Sequence, residues 1–395
     1  MLSQTTIVSV LAGLAVAPSV LGASQYNLVQ DYSGADFFQG FKYNESVIDY
    51  NNYGNVHFLG QSQALSSNLT YVNSNGRTVI KVDNTTNGQG DITFGRNSVY
   101  LMSEKTMTMG SLLVFDANHM PFGCSVWPAL FTQGQKWPEQ GEIDIIENVN
   151  QATKNQYSLH SGANSGSCVQ PPSIFSSQTG LSQVSTPNTP NNCTVLPTTD
   201  QNTGCVVQDS SDGSFGAGFN SNGGGVYATL WNDDGIKMWF WERGSAEMPS
   251  GIGGKGALDP ESWSMEPAAY FPASGCDPSK IFGPQIITLY IDICGAFAGN
   301  DQVFQSTCGS IAPNCSAMVP DPRNYDNAYW EINYLRVFST SSSSSSSNSS
   351  THSNSNTQSG SNSASASGTL FSSRAGNMLG LVSGLAMFFG VAALL

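Results

Sequence analysis

One short stretch, Glu142-Ile-Asp-Ile-Ile-Glu147, constrains the fold of this chain more than any other. Successive side chains of a β-strand point to opposite faces, so Glu142 and Asp144 share one face while the isoleucines beside them point to the other. This alternation predicts a strand with one polar and one buried face. Glu147, however, lies five positions after Glu142, and a regular strand would bury it among the isoleucines at a large desolvation cost.

A β-bulge near Ile145 and Ile146 would remove this conflict. It adds one residue to the strand, restores the alternation and places Glu147 on the face that carries Glu142 and Asp144. Three carboxyl groups on one face repel one another, so at least one should keep its proton near neutral pH. One ionised and one protonated carboxyl group is the pair that cleavage of a glycosidic bond requires.

The spacing alone leaves the stereochemistry of such a reaction open. The Cα atoms of Glu142 and Glu147 would lie roughly 13 Å apart, and long side chains leaning together can approach the ~5–5.5 Å separation of retaining enzymes. The wider separation of an inverting pair is also compatible. Asp144 can hydrogen-bond either glutamate and hold the geometry and charge of a nucleophile. Two other uses of the strand are a calcium-binding edge, although calcium ligands come more often from turns, and a plain solvated face.

Strand signals also dominate the rest of the central region, where segments rich in β-branched and aromatic residues alternate with Gly, Asn and Asp turns. They cover residues 78–82, 110–115, 226–231, 236–241, 286–291 and 330–338. Residues 232–235 read as a hairpin turn between two of them. Because no amphipathic helix of normal length is evident, the sequence predicts an all-β antiparallel sandwich or jelly roll. Residues 168–221 are predicted to be loops held by disulfides over one face.

The two ends of the chain differ from its middle. Residues 1–23 hold a short apolar run followed by small residues, which predicts a signal peptide; a buried strand or helix is the alternative. Residues 24–338 form the predicted catalytic domain. Residues 339–368, almost wholly Ser, Asn, Thr, Gly and Ala, predict a flexible stalk because they bury too little to offset chain entropy. Residues 369–395 end in an apolar tail and predict a removable signal for a glycosylphosphatidylinositol (GPI) anchor, with a permanent tail anchor as the alternative.

The eight cysteines all lie within residues 24–338. In a secreted chain this even number allows up to four disulfide bonds, whose pairing the sequence leaves open. Glycosylation sequons also fit passage through the secretory route. They lie at Asn44, Asn68, Asn84, Asn192, Asn314 and Asn348. We therefore expect the protein at the extracellular face of the plasma membrane, held by its GPI anchor, or in the cell wall.

Charge and composition also limit the partners. A formal net charge of −14, with only 14 Lys plus Arg, argues against binding to nucleic acid or to anionic lipid. The few scattered histidines and the lack of a C-x-x-C pair predict no metal site and no required cofactor, although a structural calcium ion stays open. The chain is expected to act as a monomer.

The acidic run and several shorter stretches of the chain resemble a known family. The run from Glu142 to Glu147 resembles the active-site signature of glycoside hydrolase family sixteen in its bulged form. The resemblance covers residues 26–338 and is greatest to the fungal laminarinase-like endo-1,3(4)-β-glucanases. Shorter matches are Phe37-Phe-Gln-Gly-Phe41, Trp127-Pro-Ala129, Trp137-Pro138, Leu159-His160, Ile236-Lys-Met-Trp239, Cys294-Gly295 and Ala328-Tyr-Trp330. It implies a concanavalin-like β-jelly-roll sandwich with a concave substrate cleft, and a retaining endo-β-glucanase that hydrolyses β-1,3 and mixed β-1,3/1,4 glucans.

The resemblance also implies roles for single residues. Glu142 is expected to be the nucleophile, Asp144 its assistant and Glu147 the general acid/base, with His160 lining the cleft nearby. A buried histidine of the core is the alternative for His160.

The expected sugar contacts are aromatic. The resemblance assigns Trp137, Phe131 and Trp127 to substrate binding, and this fits their chemistry because ring faces pack against the C–H bonds of sugars. Most tryptophans of a sandwich lie in the core, and we expect this of Trp231, Trp239 and Trp330.

The chain departs from the family pattern on one side of the cleft. Relatives often carry Trp at the position of Phe131, and many read Cys-Gly-Asp-Trp-Ala-Gly where this chain reads Cys294-Gly-Ala-Phe-Ala-Gly299. The missing acid at Ala296 and the missing indole at Phe297 leave the substrate preference open.

Two other functions stay open. One is a wall glucan transglycosylase on the same fold, which the extra residue of the acidic strand disfavours. The other is a non-catalytic β-glucan-binding protein, which the presence of both glutamates disfavours.

Overall fold

The computed structural model describes residues 25–196 and 202–340. The predicted signal peptide, most of the stalk and the GPI signal lie outside these residues, so the proposed boundaries stay predictions. The described strands, in chain order, are β1 (Asn27–Ser33), β2 (Phe41–Tyr43), β3 (Val56–Phe58), β4 (Thr70–Val72), β5 (Thr78–Lys81), β6 (Arg96–Ser98), β7 (Tyr100–Met107), β8 (Ser111–His119), β9 (Val126–Gly134), β10 (Glu142–Glu147), β11 (Gln156–Gly162), β12 (Val169–Gln170), β13 (Leu181–Ser182), β14 (Asn191–Asn192), β15 (Thr194–Val195), β16 (Cys205–Gln208), β17 (Gly225–Asn232), β18 (Gly235–Glu242), β19 (Ala269–Pro272), β20 (Gln285–Ile293) and β21 (Tyr329–Ser339).

The helices of the described region are short. The α-helices are α1 (Gln61–Ser66), α2 (Gly216–Ser221), α3 (Pro278–Ile281), α4 (Gly295–Ala298) and α5 (Asp301–Cys308), and 3-10 turns cover Gly34–Gly40, Pro172–Ile174, Pro260–Ser262, Cys315–Ala317 and Pro322–Tyr325. None of these helices is long and apolar enough to cross a membrane. The predicted lack of helices of normal length is confirmed for this part of the chain.

Two large sheets form the described domain. The eight-stranded sheet has the order β19-β18-β17-β8-β21-β5-β4, with β1 also paired to β21. The nine-stranded sheet has the order β13-β16-β11-β10-β9-β20-β7-β2, with β15 also paired to β11. Strand β10, which carries the acidic run, therefore lies inside the nine-stranded sheet, between β9 and β11.

The main core joins apolar side chains of both sheets. Leu113 and Phe115 of β8 belong to it together with Ile143, Ile145 and Ile146 of β10, all of them fully buried. Burying an aliphatic side chain of this size contributes roughly 1.5–3 kcal/mol relative to leaving it exposed. The three isoleucines therefore fix which face of β10 points inward, and a slip of one residue would exchange them for carboxyl groups.

The opposite face of the eight-stranded sheet carries a second, smaller core. There Trp263 packs edge-on against Trp239 and Trp241, with ring centroids 5.0 and 5.3 Å apart. Trp239 is 3% exposed, while Trp231 and Trp330 are fully buried in the main core. The expectation that these three tryptophans are structural is confirmed.

The strand predictions agree with the structure within four residues at each end. The predicted hairpin is also present, because β17 and β18 are paired from Asn232 and Gly235 outward. Gly235 has a φ of +136°, and a Cβ atom at this position would lie 2.2 Å from the carbonyl oxygen of Phe271. Glycine is therefore required here by both its conformation and its space.

The segment from Cys168 to Ser221 is more ordered than predicted. Four disulfides are formed, Cys124–Cys308, Cys168–Cys276, Cys193–Cys205 and Cys294–Cys315, so the prediction that bridges hold this segment is confirmed. The prediction that it consists only of loops is wrong, because β13 and β16 extend the edge of the nine-stranded sheet. These strands have two and four residues, too few for an alternating pattern to stand out in a polar segment.

Candidate active site

The predicted bulge is present in β10. Against β9, Glu142 stands opposite Gln133, Asp144 opposite Phe131 and Glu147 opposite Ala129, with a register shift after Asp144. The partners on β9 are spaced by two residues each time, although the acids on β10 are spaced by two and then three. Residues directly opposite each other in a pair of strands share a face. The three acids therefore share one face of the nine-stranded sheet, as the sequence predicted.

Each glutamate accepts a hydrogen bond from an indole. The Nε1–H of Trp137 donates to Oε2 of Glu142, and the Nε1–H of Trp127 donates to Oε1 of Glu147 at 2.9 Å. Both glutamates are half-buried, whereas Asp144 between them is 2% exposed. The sequence assigned both tryptophans to the site, but their hydrogen bonds to the glutamates were not foreseen.

Asp144 is held by strand β11. Its Oδ2 accepts a hydrogen bond from the Oγ of Ser158 at 2.5 Å and lies 3.1 Å from Nε2 of His160. Burial alone would lower the pKa of His160, but the hydrogen bond and charge of Asp144 outweigh it and raise that pKa to about 9. At neutral pH the two side chains therefore form a buried ion pair. The structure places His160 beside Asp144 and opposite Glu142, and its role toward substrate stays a prediction.

Burial raises the pKa of Glu142 to about 8 and that of Glu147 to about 7. The negative charge of Asp144 contributes to both shifts, and the positive charge of His160 opposes them. Both values stand well above the usual range of a glutamate. Burial is the larger cause and the crowding of the acids the smaller one, so the site holds at least one carboxyl proton near neutral pH.

The aromatic residues assigned to substrate binding differ in accessibility. Trp137 is 41% exposed, while Phe131 and Trp127 are buried, at 6% and 8%. Phe131 packs edge-on against Tyr290 with ring centroids 5.5 Å apart, and Trp127 packs in the same way against Phe297 at 5.6 Å. Trp137 is therefore the one of these three with a ring area available to a sugar before any rearrangement.

Sequence reasoning missed two residues that support the acids. Ser158 could have been found, because it precedes His160 by two positions on β11 and so shares its face. Asn155 could not. It lies in the connection before β11, and its side chain accepts the backbone N–H of Glu147 at 3.0 Å and donates to the carbonyl of Ile145 at 2.8 Å.

Metal binding has no support in the described part of the chain. Among residues 25–196 and 202–340, no group of three or more His, Cys, Asp or Glu side chains is arranged to hold a metal ion. The expectation that no cofactor is needed, and the open question of a structural calcium ion, stay predictions.

Comparison with known proteins identifies the family. The XgeA-like catalytic GH16 domain matches residues 41–338. The chain belongs to the GH16 family. This confirms the resemblance drawn from the acidic run and makes the protein a glycoside hydrolase.

Relatives of this GH16 domain occur in several fungi. A probable glycosidase of Schizosaccharomyces pombe is 36% identical over 317 residues, which cover 80% of this chain and 70% of that protein. An endo-1,3(4)-β-glucanase of Arthroderma benhamiae is 34% identical over 327 residues, 82% of this chain and 67% of that one. A probable endo-1,3(4)-β-glucanase of Aspergillus niger is 36% identical over 357 residues, 87% of this chain but only 44% of the longer relative.

Two solved structures confirm the predicted jelly-roll fold. GH16 laminarinase 16A from Phanerochaete chrysosporium, solved with β-glucans in donor and acceptor sites, has a TM-score of 0.71 and 35% identity over 80% of this chain and 99% of that one. An elongating GH family 16 β-1,3-glucosyltransferase has a TM-score of 0.69 and 33% identity, over 80% of this chain and 100% of that one.

Proposed function

We propose that this protein is a retaining endo-β-glucanase that hydrolyses β-1,3 and mixed β-1,3/1,4 glucans. The observation that carries the proposal is the shared face of Glu142, Asp144 and Glu147, created by a bulge in an internal strand. The family and its named β-glucanase relatives support the substrate class.

In the proposed reaction, the carboxylate of Glu142 attacks the anomeric carbon while Glu147 donates its proton to the leaving sugar oxygen. A covalent glycosyl-enzyme forms, and Glu147 then takes a proton from the water that hydrolyses it. Asp144 lies on the same face between both groups, held in place by Ser158 and His160.

These roles require Glu142 to be ionised while Glu147 is protonated. Burial raises the pKa of both carboxyl groups and the charge of Asp144 adds to each shift, so the two glutamates can share a proton near neutral pH. The assignment of roles rests on the position of each residue in the family's motif.

The test is product analysis on laminarin, barley β-glucan and chitin oligomers. We expect new reducing ends from the first two and none from chitin, with the β-configuration retained in the first-formed products. If no β-glucan gave new reducing ends or a redistribution of chain lengths, the protein would not be an active glucanase.

The second candidate is a glucan transglycosylase, favoured by the similarity to the elongating β-1,3-glucosyltransferase. Both reactions pass through the same glycosyl-enzyme and differ in whether water or a sugar hydroxyl accepts the glycosyl group. Adding a β-1,3-linked acceptor oligosaccharide therefore decides between them. Hydrolysis predicts shorter products at all acceptor concentrations, and transfer predicts chains longer than the donor.

We also propose that the protein is secreted, held at the plasma membrane or in the cell wall by a GPI anchor, and active as a monomer. The four disulfides and the surface positions of the sequon residues Asn44, Asn68, Asn192 and Asn314 support the secretory route. Deleting residues 369–395 should release active enzyme into the medium. Retention of the truncated protein on cells would contradict GPI anchoring.

A further inference from the structure

Residues 47–54, here called the tyrosine loop, present apolar side chains to solvent. Tyr50 is 73% and Tyr53 77% exposed, and Val47 and Ile48 beside them are 70% and 55% exposed. Elsewhere in the described chain, exposed large apolar side chains occur singly. Single exposed apolar residues need no explanation, but a contiguous group on a domain surface marks a binding site.

The backbone of the tyrosine loop is fixed by hydrogen bonds to a buried side chain. The buried carboxylate of Asp49 accepts backbone N–H groups from Asn51 at 3.1 Å, Asn52 at 3.1 Å and Gly54 at 2.9 Å. Tyr53 has a φ of +61°, a left-handed conformation that residues with a side chain rarely adopt. A buried carboxylate thus holds the backbone in a shape that leaves the apolar side chains outside.

The loop lies beside the Glu147 end of the site. The carbonyl of Asn52 accepts the N–H of Ala296 at 2.7 Å, and its side chain donates to Asp292 at 3.2 Å. Asp292 of β20 stands opposite Trp127 of β9, which donates to Glu147. A continuous chain of contacts therefore joins the tyrosine loop to the proposed general acid.

We propose that Tyr50 and Tyr53 form a glucan-binding surface that extends the proposed cleft on the side of Ala296 and Phe297. This inference rests on the proposed function. Tyrosine rings present a flat apolar face to the C–H bonds of a pyranose and a hydroxyl group at their edge. The ligand is a β-linked glucan chain long enough to leave the reaction centre and reach the loop.

The test uses binding in a Glu142→Gln background, so that turnover does not intervene. Replacing both Tyr50 and Tyr53 by Ala should weaken laminarin binding about tenfold and leave binding of a β-1,3-linked trisaccharide unchanged. Replacing both by Phe keeps the rings and should keep most of the affinity. Leu181→Ala, at a position 64% exposed on edge strand β13, is the matched control and should have no effect.

Equal laminarin binding by the double Ala variant and its parent would overturn this proposal. An equal loss of affinity for the trisaccharide and for laminarin would overturn it as well. Failure of the proposed function looks different, since the protein with an intact Glu142 would then release no reducing ends while laminarin binding still depended on the two tyrosines.

A separate observation, the bulge of β10, carries a second inference. A bulge leaves backbone groups without partners in the strand ladder, and buried groups need partners. The side-chain amide of Asn155 supplies a partner to two of these backbone groups. It accepts the N–H of Glu147 and donates to the carbonyl of Ile145. Asn155 is itself fully buried, and its N–H donates to Oγ of Ser214 at 2.9 Å while its carbonyl accepts the N–H of Asp209 at 2.9 Å.

We infer that Asn155 is a positioning residue for Glu147. Its amide fixes the bulge and so determines where the Glu147 carboxyl lies relative to the scissile bond. A misplacement of about 1 Å in a reacting group can cost about 100-fold in rate. An apolar side chain at position 155 would leave the bulge free to relax toward a regular strand.

Asn155→Ala should lower kcat on laminarin about 10- to 100-fold with little change in KM. On a dinitrophenyl glycoside of a short glucan, whose leaving group needs no proton, kcat/KM should stay near that of the parent. Asn191→Ala is the matched control, because Asn191 is also buried and donates to a carbonyl, that of Val206, away from the bulge. Equal losses on the two substrates, or a loss reproduced by the control, would overturn the inference.

Discussion

The two ends of strand β10 carry the same side chain in different surroundings. At its start, Glu142 accepts the indole N–H of Trp137, a residue 41% exposed in the connection that precedes the strand. At its end, Glu147 accepts the indole N–H of Trp127, which is 8% exposed and packed edge-on against Phe297. The backbone is free of bulges at Glu142 and held by Asn155 at Glu147.

This difference predicts different kinetic roles for the two tryptophans that donate to the glutamates. The partner of Glu147 is fixed in packed surroundings before substrate arrives, as preorganised catalysis requires. The partner of Glu142 is accessible, so a sugar can contact its ring and change the hydrogen bond to the carboxylate. We therefore expect changes at the Glu147 end to act mainly on kcat and changes at Trp137 to act mainly on KM.

The largest expected effect comes from replacing the two glutamates in turn. Glu142→Ala should lower turnover of laminarin by at least about 10⁴-fold, because no covalent intermediate can form. Glu147→Ala should lower it by about 10²–10⁴-fold while keeping activity on a dinitrophenyl glycoside. The measurements are initial rates on both substrates and circular dichroism to confirm folding.

Added azide then distinguishes the two roles. In Glu147→Ala it should attack the glycosyl-enzyme without needing a base and give a β-glycosyl azide. In Glu142→Ala it should replace the missing nucleophile and give an α-glycosyl azide. The reverse pattern of products would mean that the two roles are exchanged between the ends of β10.

A smaller effect is expected from the two tryptophans. Trp127→Phe keeps a ring but removes the hydrogen bond to Glu147. It should lower kcat about tenfold, because this bond contributes about 1.5 kcal/mol or more once Glu147 has given up its proton and is charged. Trp137→Phe should raise KM more than it lowers kcat. Trp330→Phe, a change in the buried core, controls for lost stability and should alter neither. If Trp127→Phe and Trp137→Phe changed kcat and KM in the same proportion, the proposed difference between the two ends of β10 would be wrong.

The sequence predicted the bulge because its pattern of acids and isoleucines is inconsistent without one. That argument used only local alternation and the cost of burying a carboxylate, so Glu142, Asp144 and Glu147 could be placed on one face. The hydrogen bonds from Trp127 and Asn155 depend on how β9 and the connection before β11 lie against β10. No periodicity encodes such contacts. The short strands β13 and β16 were not predicted for a related reason, because neighbouring strands and disulfides hold them in place.

The pH dependence tests the charge at the Glu142 end, where His160 stands opposite Glu142. The positive charge of His160 lowers the pKa of both glutamates. Removing it in His160→Gln should therefore raise both pKa values and move both limbs of the kcat/KM profile toward higher pH. Ser158→Ala, which removes a neutral hydrogen bond to Asp144, should move them less. An unshifted profile in His160→Gln would contradict a charged imidazole.

The last effect concerns the free energy of unfolding and again differs between the two ends of β10. The folded protein holds the His160 proton with a pKa of about 9, above the value of 6.5 in an unfolded chain. The resulting stability is complete below pH 6.5 and disappears as the pH rises through 9, a change on the order of 3 kcal/mol. Chemical denaturation at pH 6 and pH 9 should therefore show a gap between parent and His160→Gln that narrows with pH. For Asn155→Ala the gap should be the same at both pH values, because a neutral amide holds the Glu147 end.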